Sequence, residues 1–158
     1  MIKVGDSLPE ATFQLLTKEG ASNPTTKDLF AGKKVVLFAV PGAFTPTCSE
    51  AHLPGFVVNA DKIKANGVDS IICLSVNDSF VMKSWGEASN AEDIIMLADG
   101  GAAFTKAIGL EMDTGDFGGV RSQRYSMIVD DGVVTHLNVE QPKQFEASTA
   151  DVILQQLG

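Results

Sequence analysis

The run Lys33-Lys34-Val35-Val36-Leu37-Phe38-Ala39-Val40 leads directly into Pro41-Gly42-Ala43-Phe44-Thr45-Pro46-Thr47-Cys48-Ser49-Glu50. The first half is continuously apolar behind two lysines, as expected of a strand buried on both faces. The second half is a proline- and glycine-bearing loop that opens a helix. Thr47-Cys48-Ser49-Glu50 fits a capping box, in which the Thr47 hydroxyl accepts from the Glu50 amide and the Glu50 carboxylate returns to the Thr47 amide. Cys48 then falls at the first helical position. Unpaired amides and the positive end of the helix dipole favour an anion there, and a thiolate is one. A single cysteine is more often a small buried hydrophobe than a nucleophile; a place between strand end and helix start argues for chemistry.

Working outward, Leu53, Phe56, Val57, Ala60 and Ile63 recur at helical spacing until Asn66-Gly67, with Gly67 as a left-handed cap. Pro54 has no amide to return to the carbonyl of Glu50, so a kink is expected one turn beyond the cysteine. Val68 to Val76 reads as a strand, and Asn77-Asp78 caps a helix to about Glu87. A strand over Ile94 to Ala98 and a short helix over Ala102 to Ile108 follow. Tyr125 to Val129 and Val133 to Val139 flank Asp130-Asp131-Gly132, a hairpin signal with glycine where positive φ is needed. A last helix runs from Ser148 or Thr149 to Leu157. The order β-α-β-α-β-α-β-β-α implies parallel crossovers followed by an antiparallel pair. The expected fold is α/β, a thioredoxin-like single domain over residues 1–158 with a central mixed sheet flanked by helices; the pattern alone also permits other α/β sandwiches.

Composition narrows the function. With 158 residues the chain suits one well-packed domain. A net charge of −8 repels nucleic acid and anionic lipid, so no partner of either kind is expected. The longest apolar runs, Val35 to Val40 and Ile71 to Leu74, fall far short of a membrane span, and Met1-Ile2-Lys3-Val4-Gly5-Asp6 lacks a signal-peptide core. Cys48 and Cys73 do not make a secreted disulfide framework, and no Cys-x-x-Cys or His-x-x-x-His offers a structural metal site. A reducing compartment, the cytoplasm, is expected, with a processed organellar form left open.

Thioredoxin-type enzymes place a thiol at this helix start, usually as Cys-x-x-Cys; here the pair is Thr45-x-x-Cys48. A hydroxyl in place of the first thiol suits one-thiol oxidation better than dithiol exchange. With Pro41, the segment resembles the Pro-x-x-x-Thr-x-x-Cys motif of peroxiredoxins. The longer match Pro-Gly-Ala-Phe-Thr-Pro-x-Cys-Ser, followed by His52-Leu53-Pro54-Gly55-Phe56, resembles the peroxiredoxin 5 or type II group. Further blocks extend the resemblance: Gly67-Val68-Asp69 with Ile72-Cys73-Leu74-Ser75-Val76-Asn77-Asp78, then Phe80-Val81-Met82-Lys83 with Trp85-Gly86, and Arg121-Ser122-Gln123-Arg124-Tyr125-Ser126-Met127. Several blocks in order are more specific than one motif.

The resemblance implies a thiol peroxidase for hydrogen peroxide and small alkyl hydroperoxides, needing no metal, haem, selenium or flavin. Cys48 is implied as the nucleophile that becomes a sulfenic acid. Arg124 would favour the thiolate and donate to peroxide oxygen, Thr45 would position the peroxide through its hydroxyl, and Pro41 would wall the sulfur from water. The amides of Cys48 and Thr47 would complete the donor set. Phe44, Phe117, Ile108 and Leu110 are candidates for an apolar pocket wall, and Phe80 and Trp85 for a homodimer face. Arg121 would brace Arg124 or contact Glu50.

His52 lies four residues after Cys48, on the same helical face. As an imidazolium it would aid the thiolate; a Cys-His pair also invites a hydrolase reading, and a polar residue at a rim or subunit boundary is the plain alternative. His136, in the hairpin, reads as structural. Cys73 reads as an inert core thiol, though it matches a second cysteine of plant and some bacterial type II members and so is a candidate to resolve the sulfenic acid. Atypical two-cysteine members carry a resolving cysteine after the hairpin, where Glu140 to Ser148 has none. An external reductant is therefore implied, glutathione with glutaredoxin, or thioredoxin. A non-enzymatic redox sensor or thioredoxin-like interaction module is the competing class, while Thr45 disfavours a dithiol oxidoreductase.

Overall fold

The computed structural model describes residues 1–158. Its centre is a five-stranded sheet of β3 (Lys34–Val40), β4 (Ser70–Ser75), β5 (Ile95–Ala98), β8 (Tyr125–Asp130) and β9 (Val133–Val139), in the order β5-β4-β3-β8-β9. β3 pairs parallel with β4, and β4 with β5, while β8 runs antiparallel to both β3 and β9. The expected mixed sheet is present.

Alternation along β3 explains its unbroken apolar run. Val36, Phe38 and Val40 enter one core with Ile71 and Cys73; Val35, Leu37 and Ala39 enter the other with Ile72 and Leu74. On the first face lie α2 (Leu53–Ala65), α3 (Ser79–Ala88) and α5 (Ala150–Leu157), which contribute Leu53, Phe56, Ala60, Ile63, Met82, Trp85 and Ile153. The second face is covered by Phe13, Phe30, Phe104, Ile108 and Leu110, from the N-terminal segment, α1 (Thr26–Phe30) and the region around α4 (Ala103–Ala107). Burying each large side chain contributes about 1.5–3 kcal/mol, so a strand two cores wide is the main anchor of the site above it.

Most punctuation behaves as the sequence predicts. Asp78 caps α3 by accepting from the Val81 amide, Thr149 caps α5 through Val152, and Gly67 ends α2 at φ 88°. At the β8–β9 turn, Asp131 at φ 49° and Gly132 at φ 80° both have the positive φ of a type I′ hairpin. Three features lie outside the predicted order: the hairpin of β1 (Leu15–Thr17) and β2 (Gly20–Ser22), the helix α1, and the pair β6 (Glu111–Asp113) and β7 (Val120–Ser122).

The helix start at Cys48 differs from expectation in two ways. The helical stretch begins at Pro46, the Ser49 amide donates to the Thr45 carbonyl at 2.9 Å, and Thr47 is already helical with no side-chain cap bond. Thr45 is thus the capping position and Pro46 the first helical residue, where a missing amide costs nothing; the capping box at Thr47 and Glu50 does not form. Second, where the sequence predicts a kink at Pro54, a π-helical turn, Cys48–His52, stands directly ahead of it, and in that turn the Leu53 amide donates to the Cys48 carbonyl. A wider turn there lets the helix pass the proline without an α-type bond to Glu50, and such single π turns concentrate at functional sites.

Candidate active site

Cys48 is fully buried at the start of this π turn, and its Sγ accepts from Nη2 of Arg124 at 3.1 Å. Arg124 directly precedes β8, the strand beside β3, so the sheet register carries the guanidinium to the end of β3 where the Cys48 loop departs. Its other terminal nitrogen, Nη1, lies 2.8 Å from Nδ1 of His52. Thr45 Oγ1 donates to the Gly42 carbonyl at 2.6 Å. With its one hydrogen engaged there, that hydroxyl faces any ligand as an acceptor. Pro41, Thr47 and Arg124 line a cleft of ≈ 550 Å³ with Glu111, Gln123, Lys143 and Phe145 among its other walls. Cys48 itself lies behind that lining, and a larger cleft of ≈ 730 Å³, between the β1–β2 hairpin and α3, shares no residue with it.

His52 corrects a second expectation. It is buried, not at a rim, and packs against the rings of Phe38, Phe56 and Phe145 at 4.9, 5.7 and 5.0 Å between centroids. Burial first, and the adjacent Arg124 charge second, push its pKa down to about 3, against the opposing pull of Ser148 and Glu140. It is therefore a neutral imidazole at physiological pH and aids no thiolate as a cation. Its Nε2 lies 3.0 Å from the Ser148 carbonyl, which assigns the proton to that nitrogen and leaves Nδ1 as acceptor for Arg124.

Several proposed neighbours lie elsewhere. Phe44, at φ 63°, is 54% exposed and tilts against Trp85; Phe117 is 84% exposed; neither lines the cleft at Arg124. Ile108 and Leu110 belong to the core on the opposite face of the sheet. Trp85 is buried rather than part of a dimer face, and its Nε1 donates to Ser49 Oγ at 3.0 Å. Arg121 makes no bond to Arg124 or Glu50; it donates to the carbonyls of Gly118 and Val76. A Cβ on Gly118 would stand 2.7 Å from Arg121 Nε, so glycine there lets the guanidinium lie directly against the turn. His136 sits in β9 beside Thr135, away from the cleft.

Cys73 is buried in β4, opposite Phe38 and in the same core as Cys48; both cysteines are free. Burial raises its thiol pKa well above the ordinary value, a neighbouring Cys48 charge adds to this, and Arg124 opposes it. Nothing here activates it. No group of three or more His, Cys, Asp or Glu side chains is placed to hold a metal, and no helix is long and apolar enough to cross a membrane.

Sequence reasoning missed Glu140, Phe145 and Ser148. Glu140 and Phe145 line the cleft, and Arg124 lies 5.8 Å above the Phe145 ring. No local motif marks them, because their partners are remote in the chain.

This site is a thiol under an arginine at the end of a thioredoxin-like sheet, in a chain that is similar to known proteins over its whole length. A family model described as Redoxin matches residues 3–154. Peroxiredoxin-2B of Arabidopsis thaliana is 47% identical, over 99% of this chain and 98% of its own. Reduced Prx3 from Vibrio vulnificus, crystallised in complex with hydrogen peroxide, superposes with a TM-score of 0.98 at 68% identity over 100% of both chains. Peroxiredoxin 5 from Alvinella pompejana superposes at 0.86 with 35% identity, over 99% of this chain and 98% of its own. The chain belongs to the peroxiredoxins, thiol-dependent peroxidases, in their type II or peroxiredoxin 5 group.

Proposed function

We propose that this peroxiredoxin reduces hydrogen peroxide and small organic hydroperoxides through a sulfenic acid on Cys48. The observation that carries the reading is the 3.1 Å contact between Arg124 Nη2 and Cys48 Sγ beside the cleft. The Cys48 thiolate attacks one peroxide oxygen, the O–O bond breaks, and the other oxygen leaves with the electron pair, taking a proton to become water or an alcohol. Negative charge moves from sulfur to the distal oxygen. A guanidinium already on the sulfur is placed to follow it, and its charge does not depend on pH. Thr45, having given its proton to Gly42, accepts from the peroxide O–H and orients it. Pro41 and Phe145 shield the sulfur from bulk water, and the amides of Cys48 and Thr47 complete the donor set.

The sulfenic acid is reset by an external thiol, glutathione with glutaredoxin or thioredoxin: the thiol sulfur attacks Cys48, water leaves, and a second thiol reduces the mixed disulfide. This fits the burial of Cys73 in a central strand and the lack of cysteine in Glu140 to Ser148. A reducing compartment, the cytoplasm, suits two free thiols. The protein acts as a homodimer, single-domain subunits meeting through Phe44, Phe80 and Phe117. Phe44 and Phe117 sit on loops and Phe80 in the first turn of α3, and these segments are joined by the Ala43–Asn77 bond and by Arg121; such exposed rings favour contact with a partner.

Peroxide consumption measured with each donor system tests the chemistry. Cys48→Ser is expected to abolish turnover and Cys73→Ser to preserve it; loss of turnover in Cys73→Ser with intact peroxide reactivity would make Cys73 the resolving residue. Sedimentation at micromolar concentration is expected to give a dimer that Phe80→Glu weakens.

A further inference from the structure

Glu140 follows β9 and stands across from Arg124: its amide donates to the Arg124 carbonyl at 3.0 Å, one step beyond the Tyr125–Val139 pair. Its side chain is buried, and one carboxylate oxygen, Oε2, accepts from the amides of Glu146, Ala147 and Ser148 at 2.9, 2.8 and 2.7 Å and from the Ser148 hydroxyl at 2.7 Å. Three successive amides on one oxygen form an anion nest closed by the protein's own carboxylate. Burial pushes the carboxyl pKa up, but the Ser148 hydroxyl and the three amides outweigh it and hold it below its ordinary value. Glu140 is therefore charged at neutral pH, and the 146–148 turn is tied to it.

The tied turn presents the Ser148 carbonyl to His52. A carbonyl only accepts and a guanidinium only donates, so the imidazole between them is held in one tautomer from both sides. The three surrounding aromatic rings leave His52 no polar alternative. Because a guanidinium is planar, holding Nη1 against His52 sets the direction of Nη2, the nitrogen on the Cys48 sulfur. The charges acting on His52 are Arg124, from the start of β8, and Glu140, from the end of β9.

We propose that Glu140 is a positioning residue for the peroxidase reaction, acting through Ser148 and His52 to aim the Arg124 guanidinium at the Cys48 sulfur. The proposal rests on the roles given to Cys48 and Arg124 above. Its test uses the resting protein as well as turnover, so the two can fail separately.

Glu140→Gln keeps the volume and removes the charged acceptor. With two histidines in the chain, imidazole ¹⁵N spectra resolve His52 directly: the wild type is expected to show Nε2–H alone between about pH 5 and 8, and the variant a mixture. The pH profile of Cys48 alkylation, measured in a Cys73→Ser background, gives an opposed sign. Deleting a nearby negative charge by itself eases thiol ionisation and moves the profile to lower pH; loss of Arg124 alignment moves it to higher pH. The expected result is a shift to higher pH, with the rate constant for hydrogen peroxide falling about tenfold. Glu146→Gln, which removes an exposed charge from the same turn, is expected to do neither. His52→Leu should match Glu140→Gln, and the double variant should be no worse than either, since both act through one path. Should Glu140→Gln not fold, Glu140→Asp, which keeps the charge but shortens the reach, takes its place with the same expected direction. An unchanged His52 tautomer, a shift to lower pH, or additive losses in the double variant would show that Glu140 only closes a loop.

Discussion

Thr25 and Thr47 each stand three residues ahead of a carboxylate, and only Thr25 uses it. At α1 the Thr25 hydroxyl accepts from the Asp28 amide while the Asp28 carboxylate accepts from the Thr25 amide, a complete capping box. At Cys48 the same spacing, Thr47 to Glu50, forms neither bond; the cap moves back to Thr45, Glu50 stays exposed, and Thr47 turns to the cleft. A capping carboxylate folded back beside Cys48 would bring negative charge to a sulfur that must itself carry one. An ordinary helix start satisfies its amides locally, whereas a reactive one keeps them for a ligand and draws its positive charge from a distant strand.

Four measurements bear on this contrast, taken in order of expected size. Arg124→Ala removes the remote charge, and the second-order rate constant for hydrogen peroxide, followed by stopped flow, should fall by about 10²–10³, the usual loss for one donor to a developing anion. A wild-type rate in that variant would end the transition-state role assigned to the arginine. His52→Gln addresses the buried relay through stability. The folded-state pKa of His52 lies near 3, below the unfolded value of about 6.5. The unfolded chain therefore takes up a proton as pH falls through 6.5 and the folded one does not, so stability is lost on that side. Urea unfolding at pH 7 and 5 should show roughly 2 kcal/mol more loss in the wild type than in His52→Gln. Equal losses in the two would mean that the imidazole is not held neutral.

The remaining two concern the caps. Thr25→Ala should cost about 1 kcal/mol of stability with peroxidase activity unchanged, as for a working cap. Thr47→Ala should leave stability within about 0.5 kcal/mol, because no cap is lost. If both cost the same in denaturant titrations, the two helix starts are alike after all.

The fold was largely legible because its strands carry their own evidence. β3 must read as continuously apolar when each face meets a core, and the β8–β9 turn announces itself through Asp131 and Gly132. The short pairs β1–β2 and β6–β7 were not legible: strands of three residues, mostly exposed or half-buried and with only Ser122 buried, leave no hydrophobic period to detect. At the site, Cys48, Thr45 and Pro41 share one motif, and Arg124 needed the resemblance to separate it from Arg121. The structure gives a physical reason for that difference, since Arg121 holds loop carbonyls and Arg124 holds the sulfur. His52 was seen, but neither the imidazolium nor the rim residue considered for it fits, because a sequence shows its spacing from Cys48 and not the three aromatic rings around it. Glu140 and Ser148 carried no signal, since what matters is which way their oxygens point.

Trp85 is the only tryptophan in the chain, and its indole nitrogen donates to the hydroxyl of Ser49, next to the nucleophile. Every photon of indole emission from this protein therefore originates one hydrogen bond from the residue beside Cys48. Oxidation that moves the helix start alters that bond and with it the colour and brightness of the emission. The molecule thus carries its own optical gauge of the active site, and it needs no dye.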